Sequence, residues 1–292
     1  MKSTLQDIKE HVRDMKPVSA NTVQILNMVA TTDYKISDLA KFIGMDISLS
    51  TQCLRIVNSA AYSLRSPITS VERAVSYLGR KTIMDLVIKL GLSGVYSSPL
   101  EGYEGEQGAL WEHSLRTALA SRLVAQSTSQ EKTADVAYTA GLLHDVGKIV
   151  ITHFLDKQPS DIIKEFAVGE KNDFNTIESR LLETDHAEVG HMMAVHWGFP
   201  DILQKVIRYH HEPGKAPAEF KKLCFVVHMG DILAMLGGCG TGCDTLAYRV
   251  DPEIEMYLNI EMINMEKLLI EIDTEYTKAL HTAMLAVEDN NV

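Results

Sequence analysis

Cysteines are few in this sequence, and long hydrophobic runs are missing. The 292 residues include four cysteines without the regular spacing of a disulfide framework, which favours a reducing compartment: Cys53, Cys224, Cys239 and Cys243. The loop between the last two offers no second ligand pair at zinc-site spacing, so they are a weak metal candidate. No run of about 18 uncharged apolar residues occurs, which predicts that no segment spans a membrane.

The start of the chain lacks the pattern of a signal peptide. Its first residues, MKSTLQDIKEHVRDM, are charged throughout and contain no apolar core. Hydrophobic residues make up 46% of the chain and charged residues 23%, as in ordinary soluble domains. We therefore expect a cytoplasmic protein.

Positive charge is scarce as well. The chain has 28 Lys and Arg against 39 Asp and Glu, a net charge of −11, which argues against a nucleic-acid backbone as the main partner. Residues 50–90 are the exception, because they contain six basic residues and two acidic ones, Glu72 and Asp85. Short helices follow one another there in a helix–turn–helix cadence, so DNA binding stays as a less favoured alternative.

The alternating pattern of β-strands is also absent, and apolar residues recur at helical spacing. The sequence therefore predicts an all-α fold. Residues 1–95 read as an N-terminal helical lobe, and the Gly-, Ser- and Glu-rich stretch 96–110 as a linker. Longer helices follow in 111–240, the predicted core, and 241–292 form a C-terminal helical segment. The short helices of the lobe carry more apolar surface than they can bury among themselves, so we expect the lobe to dock on the core.

The predicted core contains polar residues on otherwise apolar helix faces. His113, His186 and Asp231 each lie on the inner stripe of a helix at 3.6-residue spacing. In the stretch LLHDVGK, a histidine and an aspartate come at the end of an apolar helix, and Gly147 is expected to close that helix in the left-handed conformation. A buried carboxylate beside an imidazole is costly unless something pairs with both, and a metal ion is one candidate.

A single histidine on an apolar face is more often a hydrogen-bonded core residue than a ligand. Here, however, such residues recur on the inner faces of five successive helix ends, and metal ions would satisfy them together. The predicted metal ligands are His113, His144, Asp145, His186, His210, His211 and Asp231. His191 and His196 fall off the inner face and are expected in solvent, and His228 is expected to be packed in the core.

Seven ligands are more than one ion can use, so two divalent transition-metal ions are predicted. Asp145 is the natural bridge because its two oxygens can reach both ions. Ligation rich in imidazole suits iron, manganese, zinc or nickel better than magnesium. Two ions can clamp a phosphoryl oxygen for in-line displacement, which makes Asp145 a candidate catalytic residue. Lys148 is a second candidate because it could steady a phosphate's charge; the alternative is a solvated lysine at a helix end.

Three stretches of the chain resemble the HD superfamily of metal-dependent phosphohydrolases, and more closely its HDOD (HD-related output domain) branch. They are LRIVNSAAYSLRSPITSVERAVSYLG, GLLHDVGK and DHAEVGHMMAVHWGFPDILQKVIRYHH, and the resemblance covers about residues 15–240. It implies an HD-superfamily helical core with an N-terminal helical lobe, and a bacterial signalling role. Many HDOD domains have degraded metal sites, whereas every ligand position is filled here.

The sequence is also similar to the HD-GYP branch, which hydrolyses cyclic di-GMP. Glu212 follows the two histidines as it does in that branch, but no GYP signature comes after it. Ala109 stands where some members place a glutamate one turn before the first histidine. These departures count against cyclic di-GMP hydrolysis and against a third metal ion.

Three functions stay open from the sequence. The first is a metal-dependent phosphohydrolase acting on a nucleotide or another phosphodiester. The second is a non-catalytic signalling module with a structural metal site that acts through protein contacts, and the third is a DNA-binding regulator. The expected partner is accordingly a signalling protein or a phosphate-containing small molecule such as a nucleotide. No membrane partner is expected, nucleic acid is disfavoured, and a homodimer is compatible with the sequence.

Overall fold

The structure is a computed structural model of the chain. It describes residues 4–92, 96, 98–128, 130–155, 173–259 and 263–288, with side chains up to His281. Helices joined by turns make up these residues, which contain no β-strand, so the all-α prediction is confirmed. Within the same ranges, no helix is long and apolar enough to cross a bilayer.

Five α-helices form the N-terminal lobe within residues 4–92. They are α1 (Thr4–Asp14), α2 (Ala20–Ala30), α3 (Ile36–Gly44), α4 (Ile47–Val57) and α5 (Val71–Gly91). Side-chain caps fix where several of them begin: the Ser19 hydroxyl accepts from the amide of Thr22, and the Asp46 carboxylate from that of Leu49. At Gly79 helix α5 is interrupted by a residue with φ +76°.

Among the described residues, seven α-helices belong to the core and two more follow it. The core helices are α6 (Ala109–Ser127), α7 (Ala134–Leu143), α8 (Lys148–Ile151), α9 (Phe174–Leu182), α10 (His186–His196), α11 (Asp201–Tyr209) and α12 (Ala218–Leu236). After them come α13 (Ile254–Tyr257) and α14 (Met265–Glu288). Helix α6 packs along both α7 and α12, and α10 packs along α11. These two arrangements bring the polar residues of the core to one place.

The lobe packs on the core through α1, which lies against α10, and through α5, which lies against α7. The Arg80 guanidinium lies 2.9 Å from the Asp135 carboxylate and donates to the carbonyl of Tyr34 at 2.9 Å. Further along the same pair of helices, the Tyr138 hydroxyl donates to Asp85. The buried apolar residues of the two parts belong to one continuous cluster. The lobe therefore shares one apolar core with the part of the chain that contains the predicted metal ligands.

The stretch predicted as a linker is partly packed against the core where the structure describes it. Leu100 and Tyr103 are buried, and helix α6 begins at Ala109, before the predicted linker ends. The predicted boundary at residue 95, and Ser97 within the linker, lie outside the described residues. Tyr103 matters for the site, because its hydroxyl donates to the carboxylate of Glu178.

Candidate metal centre

The seven predicted ligands meet in the core as two neighbouring groups. One group consists of His113, His144 and Asp231, and the other of Asp145, His186, His210 and His211. Within each group the candidate ligand atoms all lie within 4.8 Å of one another. All seven side chains are buried, with exposed fractions between 0% and 6%. The predicted ligand residues are thus together in space.

The first group forms where α6, α7 and α12 cross. His113 lies in the second turn of α6, His144 follows α7, and Asp231 lies well inside α12. The sequence pattern predicted helix ends for all of these residues. For His113 and Asp231 this was wrong, because both lie within helices. The three helices approach closely because small residues lie at their crossings: a Cβ on Gly141 would come within 2.7 Å of the backbone of Ala118.

The second group forms where the turn after α7 meets the starts and ends of α10 and α11. His186 is the first residue of α10, which begins there because the Asp185 carboxylate accepts from the amide of Glu188 at 2.7 Å. His210 and His211 come directly after α11. The helix termini thus hold three imidazoles around the carboxylate of Asp145.

Gly147 has a different role from the predicted one. Its φ of −66° is right-handed, so the prediction of a left-handed helix cap was wrong. Its small size is what the site requires, because a Cβ at this position would lie 1.9 Å from the carbonyl oxygen of His186. Gly147 lets the turn that carries His144 and Asp145 touch the first turn of α10, which brings the two ligand groups together.

Asp145 lies between the two groups. Its Oδ2 is 3.5 Å from Nε2 of His113 and 3.4 Å from Nε2 of His144. Its Oδ1 is 3.3 Å from Nε2 of His186 and 3.5 Å from Nε2 of His210. Each carboxylate oxygen therefore faces one ligand group, which is the placement expected of a bridging carboxylate.

Backbone carbonyls orient three of the imidazoles. The Nδ1–H groups of His113, His144 and His210 donate to the carbonyls of Cys239, Gly141 and Ile207 at 2.9, 2.8 and 2.8 Å. In a neutral ring this leaves the Nε2 lone pair facing the centre, as it does in metal-binding histidines.

His186 is oriented by a carboxylate that the sequence reasoning missed. Glu178 is completely buried and accepts from the backbone amide of His186 at 2.7 Å and from its Nδ1 at 2.8 Å. A carboxylate behind a metal-binding imidazole fixes its tautomer and raises its basicity. A signal was present, because Glu178 lies four residues from both Phe174 and Leu182 on the buried face of α9.

The donor atoms at the centre suit cations. Nε2 of His113 lies 3.0 Å from Oδ1 of Asp231, a contact that requires a proton or a metal ion at these two atoms. Nε2 of His144, Nε2 of His210, Nδ1 of His211 and Oδ1 of Asp145 are buried without a hydrogen bond, and Oδ2 of Asp145 has the ion pair with Lys148 in place of one. Such groups are costly to bury unless positive charge satisfies them. Imidazole nitrogens with carboxylate oxygens are the donor set of divalent transition metals, so these residues fit such ions.

The acid–base properties of the site follow from the same contacts. Burial opposes ionisation of Asp145, but neighbouring His144 and Lys148 hold the pKa of its carboxyl well below the usual range. Burial likewise opposes a charge on His186, yet the carboxylates of Glu178 and Asp145 raise its pKa to about 10. Burial lowers the pKa of His210 to about 4. Protons would therefore compete with any metal ion for the imidazole nitrogens of this site.

Lys148, the second predicted catalytic residue, is inside the protein rather than in solvent. Its side chain is 1% exposed, and its Nζ lies 2.7 Å from Oδ2 of Asp145 and 2.6 Å from Oδ2 of Asp244. Burial opposes its charge, but the two carboxylates raise the pKa of the amine above its ordinary value. Its charged form is therefore favoured next to the carboxylate that faces both ligand groups.

The other histidines lie outside the ligand groups. His191 is partly buried and donates to the carbonyl of Gln204 at 3.2 Å, and exposed His196 donates to the carbonyl of Met15 at 3.0 Å. His228 is packed, as expected: its Nδ1–H donates to the carbonyl of His210 at 2.7 Å and its Nε2 accepts from the amide of Asp251 at 2.9 Å. Both nitrogens of His228 are used, so it supports the site without being a ligand.

Fold and site together define an all-helical domain with buried histidine and aspartate groups that could hold metal. The sequence profile of the HDOD domain family matches residues 15–213, and the chain belongs to this family. An uncharacterized protein of Treponema pallidum (strain Nichols) is 26% identical over 222 residues. That match covers 75% of this chain but 42% of the relative, so the chain spans less than half of the relative's length.

Several solved structures share the fold. An HDOD domain protein of unknown function from Geobacter sulfurreducens is 24% identical, with a TM-score of 0.67 over 97% of this chain and 96% of that one. A proposed phosphohydrolase from Shewanella amazonensis SB2B is 23% identical, with a TM-score of 0.64 over 97% and 98% of the two chains. A proposed signal transduction protein from Marinobacter aquaeolei VT8 is 20% identical, with a TM-score of 0.73 over 98% of this chain and 62% of that one.

Proposed function

We propose that this HDOD protein is a metal-dependent phosphohydrolase of a signalling system, with a centre that holds two divalent transition-metal ions. The observation that carries the proposal is the position of Asp145, whose two oxygens each face a separate group of ligands. The family membership and the descriptions of the Shewanella and Marinobacter proteins support the same class of function.

The residues would have separate roles at such a centre. His113, His144 and Asp231 would hold one ion, and His186, His210 and His211 the other, with Asp145 shared between them. Two bound ions of this kind polarise a phosphoryl oxygen and activate water for in-line displacement. Glu178 keeps Nε2 of His186 directed at the centre. Lys148 places a fixed positive charge beside Asp145, where a phosphate group would approach.

The substrate class proposed is a phosphate ester of a small molecule such as a nucleotide, since the centre contains imidazoles, carboxylates and one buried lysine. We further propose a cytoplasmic location and a signalling protein as partner. Iron, manganese, zinc and nickel all suit the imidazole-rich ligands.

A second function is favoured by one specific observation. The ligands are almost completely buried, and Lys148 is already paired with Asp244 as well as with Asp145. A closed centre of this kind also suits a regulatory module in which the metal is structural and protein contacts carry the signal.

Metal content and hydrolysis measured together test both functions. The full chain would be produced with iron or manganese supplied, purified without chelator, analysed for metal, and assayed with bis(p-nitrophenyl) phosphate. We expect two ions per chain and hydrolysis that EDTA treatment abolishes. Two ions without hydrolysis would favour the regulatory module, and a chain that takes up no metal would contradict both.

A further inference from the structure

The chain between α12 and α13 folds back over the metal centre. We call residues 239–251 the strap. The carbonyl of Cys239 accepts from Nδ1 of His113 at 2.9 Å, and the amide of Cys243 donates to the carbonyl of Tyr103 at 2.7 Å. At its far end, the amide of Asp251 donates to His228 at 2.9 Å. The strap is thus hydrogen-bonded to a ligand of the first group and to residues that position ligands of the second group.

The strap places a carboxylate against Lys148. Oδ2 of Asp244 lies 2.6 Å from the Lys148 Nζ, and the hydroxyl of Thr241 accepts from the same amine at 2.9 Å. The Thr241 hydroxyl in turn donates to Asp244 at 2.8 Å. With Asp145 at 2.7 Å, the lysine has three oxygen neighbours within hydrogen-bonding distance. Two of the three N–H donors of the amine are used by Thr241 and Asp244, and the ion pair with Asp145 occupies a third side of the amine.

The same strap covers the most exposed of the ligands. The ring of Tyr248 stacks on His211, with centroids 4.0 Å apart and planes at 15°. The Tyr248 hydroxyl donates to Oδ2 of Asp244 at 2.7 Å. Tyr248 therefore connects the cover over His211 to the carboxylate that occupies Lys148, so the two contacts would be released together.

Polar contacts hold the strap on the core together with the partly buried Cys243, Ala247 and Tyr248. Leu246 and Val250, two of its large apolar side chains, are 60% and 53% exposed. Apolar side chains in solvent contribute little to holding a segment in place. The ion pair between Asp244 and Lys148 is, by contrast, buried.

We propose that the strap is an autoinhibitory element of the metal centre. The Asp244 carboxylate takes the position beside Lys148 that a phosphate group of the substrate needs, and Tyr248 shields His211 at the same time. A phosphate-containing substrate enters when the strap releases Lys148. This inference rests on the proposed function, because it concerns access of a phosphate group to the same centre.

The test compares two carboxylates of the strap in the full-length, metal-loaded protein. Asp244→Asn removes the charge beside Lys148 and keeps the size of the side chain. Asp251→Asn is the matched control, since the Asp251 carboxylate accepts from the amides of Gly214 and Glu253 at 3.0 and 2.9 Å. Binding of inorganic phosphate would be measured by titration calorimetry, with metal content and bis(p-nitrophenyl) phosphate hydrolysis followed in parallel.

We expect Asp244→Asn to bind phosphate at least about tenfold more tightly than the unchanged protein, because a buried negative charge near the anion is removed. Asp251→Asn should bind phosphate as the unchanged protein does. An Asp244→Asn protein with its full metal content and no gain in phosphate affinity would overturn the inference. If that variant does not fold, Tyr248→Phe replaces it: losing the hydroxyl that holds Asp244 should give a smaller gain, and no gain would overturn the inference equally.

The outcomes separate the strap from the catalytic proposal. Tighter phosphate binding without hydrolysis would support the strap and contradict the phosphohydrolase. Hydrolysis by the unchanged protein, with the same phosphate affinity in Asp244→Asn, would support the phosphohydrolase and contradict the strap. If the chain takes up no metal, the phosphate comparison is made on the metal-free proteins, because Lys148 and Asp244 are present in both forms.

Discussion

The N-terminal lobe and the core differ in what they bury. Among residues 4–92, the buried polar side chains are Thr22 and Ser59, and both form short-range hydrogen bonds: Ser59 donates to the carbonyl of Ile56 at 2.7 Å, and Thr22 pairs with Ser19 at 2.9 Å. The core buries the seven candidate ligands and, beside them, Lys148, Glu178 and Asp244. Burial therefore serves packing in the lobe and a charged site in the core.

This contrast has an energetic consequence. Burying apolar side chains stabilises the fold whether or not a ligand is present. Burying imidazoles and carboxylates is unfavourable until cations satisfy them. We infer that apolar burial in the lobe and in the rest of the core stabilises the fold enough to offset the free-energy cost of burying the polar centre. The two regions should then respond to different substitutions.

The largest effect is expected from Asp145→Ala. Outer-shell partners of metal ligands are typically worth about 10- to 100-fold in metal affinity, so loss of the residue that faces both groups should weaken binding by more than about 100-fold. Metal analysis after dialysis measures this. His191→Ala and His196→Ala are the controls, since neither side chain reaches the ligand groups. Equal metal loss in all three variants would show that the ligand groups are not where the ions bind.

In the lobe, Leu39→Ala should affect stability and leave the metal in place. Leu39 is completely buried in α3, and removal of such a side chain costs about 2–5 kcal/mol of unfolding free energy. Chemical denaturation gives this value, and metal analysis of the folded protein should be unchanged. Ile47→Ala, at an 87% exposed position of the same lobe, should change stability by less than about 0.5 kcal/mol. Loss of metal in Leu39→Ala would mean that the two regions cannot be separated.

Much of this contrast could be predicted from the sequence. The helical periodicity gave the fold class, and polar residues on apolar stripes gave the ligand set, because a helix fixes which residues share a face. Asp244 could not be found in this way, since it lies in an irregular segment without a period. Gly147 was noticed in the sequence, but for the wrong reason. A glycine is needed because the carbonyl of His186, 39 residues away in the sequence, leaves no room for a Cβ, and only the tertiary packing shows this contact. Glu178 was missed although its helix carried the same signal.

Glu178 offers a finer test within the core. Glu178→Gln keeps an acceptor for the Nδ1–H of His186 and removes the negative charge behind the ring, so metal affinity should fall by about tenfold. Glu178→Ala removes the acceptor as well, and the fall should approach about 100-fold. Competition with a metal-binding dye measures both. Glu183→Gln, exposed just after the same helix, is the control and should bind metal normally. Equal affinity in the Gln variant and the unchanged protein would show that charge at Glu178 does not act on His186.

The smallest effect is expected at the boundary between the two regions, where Asp85 differs from Asp145. Cationic neighbours keep Asp145 ionised, whereas burial raises the pKa of Asp85 to about 6 even though Tyr138 donates to it. A carboxyl whose pKa is raised in the folded protein destabilises the fold when it is charged. This penalty is fully present above about pH 6, and it disappears as the pH falls towards the pKa of about 3.9 in the unfolded chain.

Asp85→Asn removes that charge and keeps an acceptor for Tyr138. The shift corresponds to at most about 3 kcal/mol, and partial contact with solvent reduces the expected gain to about 1–2 kcal/mol at pH 7.5. Denaturation of both proteins between pH 4 and pH 7.5 should show the gain shrinking as the pH falls through about 6. Metal content should not change. A variant less stable than the unchanged protein at pH 7.5 would mean that the Asp85 charge is stabilised at the boundary. Favourable burial of charge would then extend beyond the candidate metal centre to this boundary.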